Sequence, residues 1–138
     1  MKGILIVSNG GFAKGLADTV KVIFGNNIEQ LEYCCFEPGM SISAFQKQLK
    51  KKHEITESGE GVIVLLDTDA GIVYREALKL LDDQSMIIAG VNVPLLLDIL
   101  IRRANGDVLE KDALLRKGRA GIHGLDRYFG EMSQMVEG

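Results

Sequence analysis

The sequence predicts an α/β domain of three layers, α/β/α, built around a central parallel sheet. Four short apolar runs are bounded by turn residues, which is typical of buried strands in a parallel sheet. Amphipathic segments of helical length separate these runs, and the alternation indicates right-handed crossovers. The 138 residues are enough for one domain with a sizeable core. The simplest strand order is 2-1-3-4, which places strands one and three side by side.

The first strand is predicted to run through Ile4-Leu5-Ile6-Val7 and to end at the turn Ser8-Asn9-Gly10-Gly11. A helix should follow to about Phe24, because apolar residues recur there at helical spacing. The predicted apolar stripe consists of Phe12, Leu16, Val20, Ile23 and Phe24.

The second strand, residues 28–36, begins with polar residues, which predicts a place at an edge of the sheet. Ser41 is the expected N-cap of the second helix. That helix should give way to a polar loop at residues 54–60. The third strand, residues 61–67, is the most apolar of the four and is therefore placed centrally.

The second half of the chain continues the alternation. A third helix is expected at residues 72–81 and a fourth strand at residues 86–91. Pro94 is expected at the first position of a strongly apolar helix, where its missing N–H costs nothing. A last helix should span about residues 108–117. For residues 122–138, an extra strand at the edge of the sheet, a short helix and disorder all remain open.

The polar turns after strands one and three are predicted to meet in one crevice. In the order 2-1-3-4, the carboxyl ends of these strands flank the point where the connections change direction, and open α/β sheets bind ligands at such points. The crevice would contain Ser8-Asn9-Gly10-Gly11 and Asp67-Thr68-Asp69-Ala70-Gly71, with Asn92 as a side wall. Ser8 and Asn9 are expected at its centre.

Each polar residue of this crevice has two interpretations. Asp67 either caps the following helix or orients a group on the first turn, since a carboxylate at a strand end is costly to bury unpaired. Asn9 is either an ordinary turn residue or a hydrogen-bonding group, because an amide is neither a nucleophile nor a general base. Gly10-Gly11 at a helix start is a weak anion-binding signal that lacks the Walker and dinucleotide patterns.

Charge and composition argue against several classes of function. A net charge of −3 argues against a general nucleic-acid binder. The basic run at residues 47–53 is interpreted as a solvated helix face. No apolar run is long enough to span a bilayer and no signal peptide is recognised, so a cytoplasmic protein is expected.

The positions of the cysteines and histidines do not match a standard metal or catalytic site. Cys34 and Cys35 would point to opposite faces of a strand, so they are expected to be free thiols in a reducing compartment. They supply too few ligands for a metal site, and no cofactor is expected. His53 and His123 are expected at the surface, and no Ser-His-Asp set can be placed.

Six segments of the chain carry a family pattern: residues 4–13, 20–25, 36–39, 61–67, 89–96 and 118–122. The segment at 89–96, AGVNVPLL, closely resembles the signature AGVN-PML. Together these segments resemble the mannose-family IIA component of the bacterial sugar phosphotransferase system. The resemblance divides the chain into a IIA-like domain, residues 1–122, and a tail, residues 123–138, that is a candidate for dimer formation.

The resemblance implies a phosphoryl carrier that needs no metal or cofactor and is commonly a homodimer. In the family, a histidine on the first loop accepts a phosphoryl group from the phosphocarrier HPr and passes it to a IIB component. The membrane permease is only an indirect partner. An aspartate after strand three orients the histidine. Asp67 matches that aspartate, and Asn9 occupies the histidine position.

The chain departs from the family pattern at two places. A carboxamide lacks the attacking lone pair of imidazole, so Asn9 cannot serve as the nucleophile. The family's Gly-Gly-Ser/Thr-Pro run corresponds to Ala70-Gly71-Ile72-Val73, which puts Ile72 where a hydroxyl is expected. By this correspondence the phosphate or partner pocket comprises Ser8, Gly10, Gly11, Thr68, Gly71, Ile72 and Asn92.

Three hypotheses remain. The first is a IIA-type component with impaired or absent phosphoryl transfer, in which Asn9 donates its amide hydrogen to Asp67 as an imidazole N–H would. The second is a non-catalytic regulatory or partner-binding module that keeps the fold. The third is phosphorylation of Asp67 or Asp69, for which no acidic magnesium cluster can be placed. Whether the chain is an enzyme stays open at this point.

Overall fold

A computed structural model describes residues 1–126, and these form four strands and five helices in the predicted alternation. The strands are β1 (Gly3–Asn9), β2 (Leu31–Phe36), β3 (Val62–Leu66) and β4 (Met86–Ala89). The helices are α1 (Phe12–Phe24), α2 (Ile42–Thr56), α3 (Gly71–Leu78), α4 (Val93–Ala104) and α5 (Lys111–Ala120). The strands are parallel in the order β2-β1-β3-β4, which confirms the predicted fold class and places β2 at an edge.

Two apolar clusters on opposite faces of the sheet make the three layers. One cluster joins alternate strand residues to α1, α4 and α5. The other joins the intervening strand residues to α2 and α3, because successive side chains of a strand point to opposite faces. Cys35 belongs to the first cluster and Cys34 to the second. Both are buried free thiols, as the sequence predicts.

The buried face of α1 differs from the predicted stripe. Its buried residues are Ala13, Leu16, Ala17 and Val20. The side chains of Phe12, Ile23 and Phe24 are instead 40%, 57% and 40% exposed. The two alanines allow α1 to pack closely on the sheet, so the larger residues lie at the margins of the contact. The prediction is thus confirmed for Leu16 and Val20 and wrong for the other three.

Two helices start differently from the predictions because a polar side chain caps each of them. Asn92 caps α4: its Oδ1 accepts the N–H of Leu95 at 2.9 Å. Pro94 therefore takes the second helical position rather than the first. The carboxylate of Glu110 accepts two amide hydrogens of the first turn of α5. That helix consequently begins at Lys111 and not near residue 108.

Other boundaries move by a few residues. β2 begins at Leu31, and α2 continues through the start of the predicted loop to Thr56. α3 ends at Leu78, after which a hydrogen-bonded turn continues to Leu81. None of the described helices combines the length and hydropathy that a bilayer crossing requires. The chain leaves α5 at Gly121, and the alternatives for the tail beyond residue 126 lie outside the described residues.

Candidate functional site

The carboxyl ends of β1 and β3 bring Asn9 and Asp67 into direct contact. Val7 pairs with Leu66 in the sheet, so Asn9, the last residue of β1, and Asp67, the first residue after β3, lie at neighbouring strand ends. The Asn9 backbone N–H donates to Asp67 Oδ2 at 2.9 Å. The Asn9 side-chain amide donates to the same oxygen, with an Nδ2–Oδ2 distance of 3.1 Å. The two turns therefore meet, in the geometry predicted from the strand order.

Asp67 receives a third hydrogen bond from its own turn. Its Oδ1 accepts the N–H of Thr68 at 2.9 Å. Three N–H dipoles thus compensate the charge of this half-buried carboxylate. α3 is not capped by Asp67, since its N-cap residue is Ala70 and has no side-chain hydrogen bond. Of the two interpretations of Asp67, the geometry agrees with the one in which it orients residue 9.

Ser8 fixes the shape of the first turn from inside the protein. Its side chain is fully buried. The Oγ accepts the N–H of Ala13 at 2.7 Å and donates to the carbonyl oxygen of Gly10 at 3.0 Å. It thereby supplies the cap that the N-cap residue of α1, Gly11, cannot provide. Ser8 lies next to Asn9 as predicted, but its hydroxyl is engaged by the turn.

The surface above the first turn is open. Asn9 is exposed. Gly10 has a φ of +61°, a conformation that favours glycine, and its N–H donates to the carbonyl of Phe36 at 2.8 Å. No heavy atom lies within 4 Å of the position that a Cβ would take at Gly10 or Gly11. An approaching molecule therefore meets the Asn9 amide and the glycine backbone without obstruction.

The second turn carries two further polar side chains besides Asp67, followed by an apolar residue. Thr68 and Asp69 are exposed, and the backbone of Thr68 is engaged by Asp67. Gly71 starts α3 with a φ of +81°. Ile72 is half-buried and packs against the apolar cluster that joins the sheet to α2 and α3, which we call the α2–α3 cluster. The position where the family pattern expects a hydroxyl therefore carries an apolar group directed at the core.

Asn92 joins two helices with its side chain. Its Oδ1 caps α4, and its Nδ2 donates to the carbonyl of Gly118 on α5 at 2.9 Å. The preceding loop is held against β3 because Gly90 and Val91 both donate to the carbonyl of Leu66. The sequence analysis missed this helix-joining role. That Asn92 also forms a wall of the crevice stays a prediction.

The two histidines differ in their surroundings. His123 is exposed, as predicted. His53 is half-buried, and its Nε2 is inaccessible to solvent and has no hydrogen-bond partner among the described residues, so the surface prediction is wrong for it. The buried Leu49 four residues earlier lies on the same face of α2 and is the sequence signal for this burial. His53 lines a groove of about 540 Å³ between α2 and α3, which contains neither Asn9 nor Asp67.

The arrangement can form hydrogen bonds but contains no nucleophile at its centre. Within residues 1–126, no group of three His, Cys, Asp or Glu side chains is arranged to hold a metal ion. Asn9 presents an exposed carboxamide that the Asp67 carboxylate holds in place. One aromatic side chain, that of Phe12, is 40% exposed directly beside the turn. The sequence pattern placed Phe12 in the buried stripe and therefore did not predict this exposure.

Comparisons with known proteins identify the family to which the chain is similar. The EIIA-man family, described as "PTS system fructose IIA component", matches residues 3–113. The "PTS system mannose-specific EIIAB component" of Escherichia coli (strain K12) is 26% identical over 126 residues, covering 88% of this chain. The chain spans only 39% of the length of that relative.

Solved structures of similar proteins share the fold. The PTS IIA protein associated with the fucose utilization operon of Streptococcus pneumoniae superposes with a TM-score of 0.81 at 25% identity, covering 91% of this chain and 94% of the other. The mannose/sorbose-specific IIA subunit of Enterococcus faecalis gives a TM-score of 0.72 at 21% identity, covering 91% and 96%. At that identity, the second likeness concerns the fold alone.

Proposed function

Because this chain belongs to the EIIA-man family of the phosphotransferase system, we propose that it is a IIA-type component whose own phosphoryl transfer is impaired or absent. The observation that carries the proposal is the pair formed by Asn9 and Asp67. The carboxylate that would orient a histidine is present and contacts residue 9, but residue 9 is a carboxamide.

Whether the chain can accept a phosphoryl group depends on the chemistry of residue 9. A carrier of this type forms a bond between phosphorus and a ring nitrogen, which needs a lone pair that is free to attack. The nitrogen lone pair of a carboxamide is delocalised into its carbonyl group and does not provide this. Asn9 can donate a hydrogen to Asp67, as an imidazole N–H would, but it cannot take the phosphoryl group.

The second turn supports the same proposal. Ile72 places a branched apolar group where the family pattern has a hydroxyl for the phosphoryl group, and it packs into the α2–α3 cluster. Asn9 and Ile72 both depart from the family pattern in the same pocket. A laboratory substitution of the nucleophile would change one residue, so two changes favour a natural relative that no longer binds and transfers a phosphoryl group. We keep the same residues as the proposed phosphate or partner pocket: Ser8, Gly10, Gly11, Thr68, Gly71, Ile72 and Asn92.

The proposed partners are the phosphocarrier HPr and a IIB component, with which the chain would work in the cytoplasm. The name of the E. coli relative combines the IIA and IIB components, and this chain matches only part of that protein. The second candidate function is therefore a regulatory or partner-binding module that docks these proteins without turnover. The exposed, unobstructed turn around Asn9 favours it as much as it favours the impaired carrier.

A homodimer is also proposed, through an edge of the sheet and the tail at residues 123–138. Among the described strands, β2 and β4 each pair on one side only, so each has an edge that can accept a further strand. Light scattering of the full chain should give twice the monomer mass. A chain ending at residue 122 should give the monomer mass if the tail makes the contact, and an unchanged dimer would place the contact elsewhere.

The experiment that tests the proposal compares the natural chain with the Asn9→His variant. Each is incubated with phosphoenolpyruvate, enzyme I and HPr, and its intact mass is measured. Asn9→Ala is the matched control, since it also changes the turn but supplies no nucleophile. Phosphate on the histidine variant alone would identify Asn9 as the single block. Phosphate on no variant would mean that the pocket around Ile72 is also lost, which favours the partner-binding module.

Phosphate on the natural chain would contradict the proposal. The phosphorylated residue would then be His53, His123 or an aspartate. Incubation with acetyl phosphate, followed by the same measurement on Asp67→Asn and Asp69→Asn, would identify an aspartyl phosphate by its loss in one of the two variants.

A further inference from the structure

We propose that the natural chain is a dead-end competitor for the phosphocarrier and thereby lowers phosphoryl transfer to a competent IIA domain. The inference rests on the proposed function and adds a regulatory consequence of the same site.

The shape of the docking turn does not depend on a histidine. The backbone N–H of residue 9 is held by Asp67 at 2.9 Å, and the side chain at that position takes no part in this bond. Ser8 holds Gly10 and the start of α1, and the Gly10 N–H holds the turn on β2. These four hydrogen bonds, each of which involves a backbone group, are present with asparagine at position 9, so the turn has a fixed shape without a histidine.

The charge at the site also equals that of a IIA component whose histidine is neutral and unphosphorylated. An imidazole must be neutral to attack, and the Asn9 carboxamide is neutral as well. Asp67 has its charge compensated by three N–H groups. Asparagine is smaller than histidine, so it introduces neither a clash nor a new charge into the contact. The chain consequently presents the unphosphorylated surface permanently.

The exposed ring of Phe12 gives the contact an apolar component. It is 40% exposed and follows Gly11 at the start of α1, immediately beside the polar turn. Aromatic side chains, phenylalanine included, are enriched in protein interfaces relative to the rest of the surface. Val22 is exposed on the same helix, ten residues further along and hence about 15 Å away. The two positions form a matched pair for testing which end of α1 the partner contacts.

Because the site has no nucleophile, a phosphocarrier bound to this chain transfers nothing and is withheld from a competent IIA domain. In a competent complex the bond between the phosphoryl group and the carrier breaks, and a bond to the acceptor histidine of the IIA component forms. Here no bond forms or breaks, and the carrier dissociates in the state in which it arrived. The bound fraction then depends only on affinity and concentration. At a tenfold excess over the dissociation constant, the free carrier falls about elevenfold, and the transfer rate falls with it when the carrier is limiting.

The experiment measures the initial rate of phosphate transfer from phosphoenolpyruvate, through enzyme I and limiting HPr, to the mannose-specific EIIAB component of E. coli. The natural chain, Phe12→Glu and Val22→Glu are added in increasing amounts. A glutamate at the first position of α1 is compatible with the helix dipole, so Phe12→Glu should fold, and its thermal unfolding is measured beside the others. In parallel, Asn9→His is tested for phosphorylation by intact mass.

The expected result is a dose-dependent loss of rate with the natural chain and with Val22→Glu, and little or no loss with Phe12→Glu. Equal inhibition by all three proteins would overturn the inference that the carrier docks on the Asn9 turn, because the contact would not involve this end of α1. No inhibition by the natural chain, with Asn9→His phosphorylated, would overturn the inference while the proposed function stands. No inhibition and no phosphorylation of Asn9→His would count against both.

Discussion

Asn9 donates two hydrogen bonds to one oxygen of Asp67, from its backbone at 2.9 Å and from its side chain at 3.1 Å. The two bonds have different consequences. The backbone bond ties the ends of β1 and β3 together whatever residue occupies position 9. The side-chain bond holds the amide in one orientation above the turn. Asp67 therefore stabilises the fold and orients residue 9 through the same atom.

Removing the Asp67 carboxylate should destabilise the protein more than removing the Asn9 side chain. Asp67→Ala leaves the backbone N–H of Asn9 without its acceptor and should lower the free energy of unfolding by about 1–3 kcal/mol. Asn9→Ala keeps that bond and should lower the free energy of unfolding by about 1 kcal/mol or less. Urea unfolding of both variants and of the double variant measures the coupling, expected at about 0.5–1 kcal/mol. Strictly additive effects would contradict the side-chain bond.

The helix-joining role of Asn92 predicts a second, larger effect. Asn92→Ala removes the cap of α4 and the bond to the Gly118 carbonyl on α5, and should lower the free energy of unfolding by about 2–3 kcal/mol. Asn105→Ala is the matched control, since Asn105 closes the same helix through its backbone N–H. That variant should change stability by no more than about 0.5 kcal/mol. Equal losses at both ends would mean that the side-chain bonds of Asn92 contribute little.

The strand order and the meeting of the two turns could be predicted from the sequence because both follow from chain geometry. Parallel strands joined by right-handed crossovers leave few arrangements, and the carboxyl ends of β1 and β3 must then lie together. The contact between Asn9 and Asp67 is a consequence of that topology. Predicting this contact requires the position of each residue along its strand, but no knowledge of side-chain packing.

The features that the sequence did not reveal depend on tertiary packing. The face that α1 buries is set by how closely Ala13 and Ala17 let it approach the sheet, whereas periodicity alone favours the largest apolar residues. The burial of the His53 Nε2 and the bond from Asn92 to Gly118 each need a second element that is distant in the chain. Hydrophobic periodicity contains no information on such pairs.

Acid should weaken the contact between α2 and α3. The hydrogen bonds from Lys79 and then from Gln46 hold the pKa of Glu76 below its ordinary value of 4.5. A carboxyl whose pKa is lowered on folding stabilises the protein above its unfolded pKa, and this contribution is lost as the pH falls through the folded value. Stability should therefore decline below about pH 4.5.

The test of this pH dependence is urea unfolding of Glu76→Gln beside the natural chain from pH 7 to pH 3. The variant lacks the titrating group, so its stability should fall less over the acidic part of this range. Lys79→Met removes the largest cause of the lowered pKa and should weaken the acid dependence in part. Parallel curves for the natural chain and Glu76→Gln would show that this carboxyl does not contribute.

The thiol of Cys34 should be unreactive in the folded protein. Its side chain is fully buried, and burial, followed by the neighbouring Cys35, raises its pKa to about 12. The thiolate is the reactive form, so alkylation at pH 8 requires unfolding. Because the folded pKa is raised, folding favours the protonated thiol. The stability that depends on this group is complete below the unfolded pKa of about 9 and declines as the pH rises above it.

Labelling with iodoacetamide tests this directly in Cys35→Ser, where Cys34 is the remaining cysteine. Intact mass at pH 8 should show little label on the folded variant and complete labelling in urea within the same time. Cys34→Ser, which leaves Cys35 at 6% exposure on the opposite face of β2, measures the accessibility of the α1 side under the same conditions. If folded Cys34 reacts as fast as it does in urea, the α2–α3 cluster, which contains Cys34, would have to open on the timescale of the reaction.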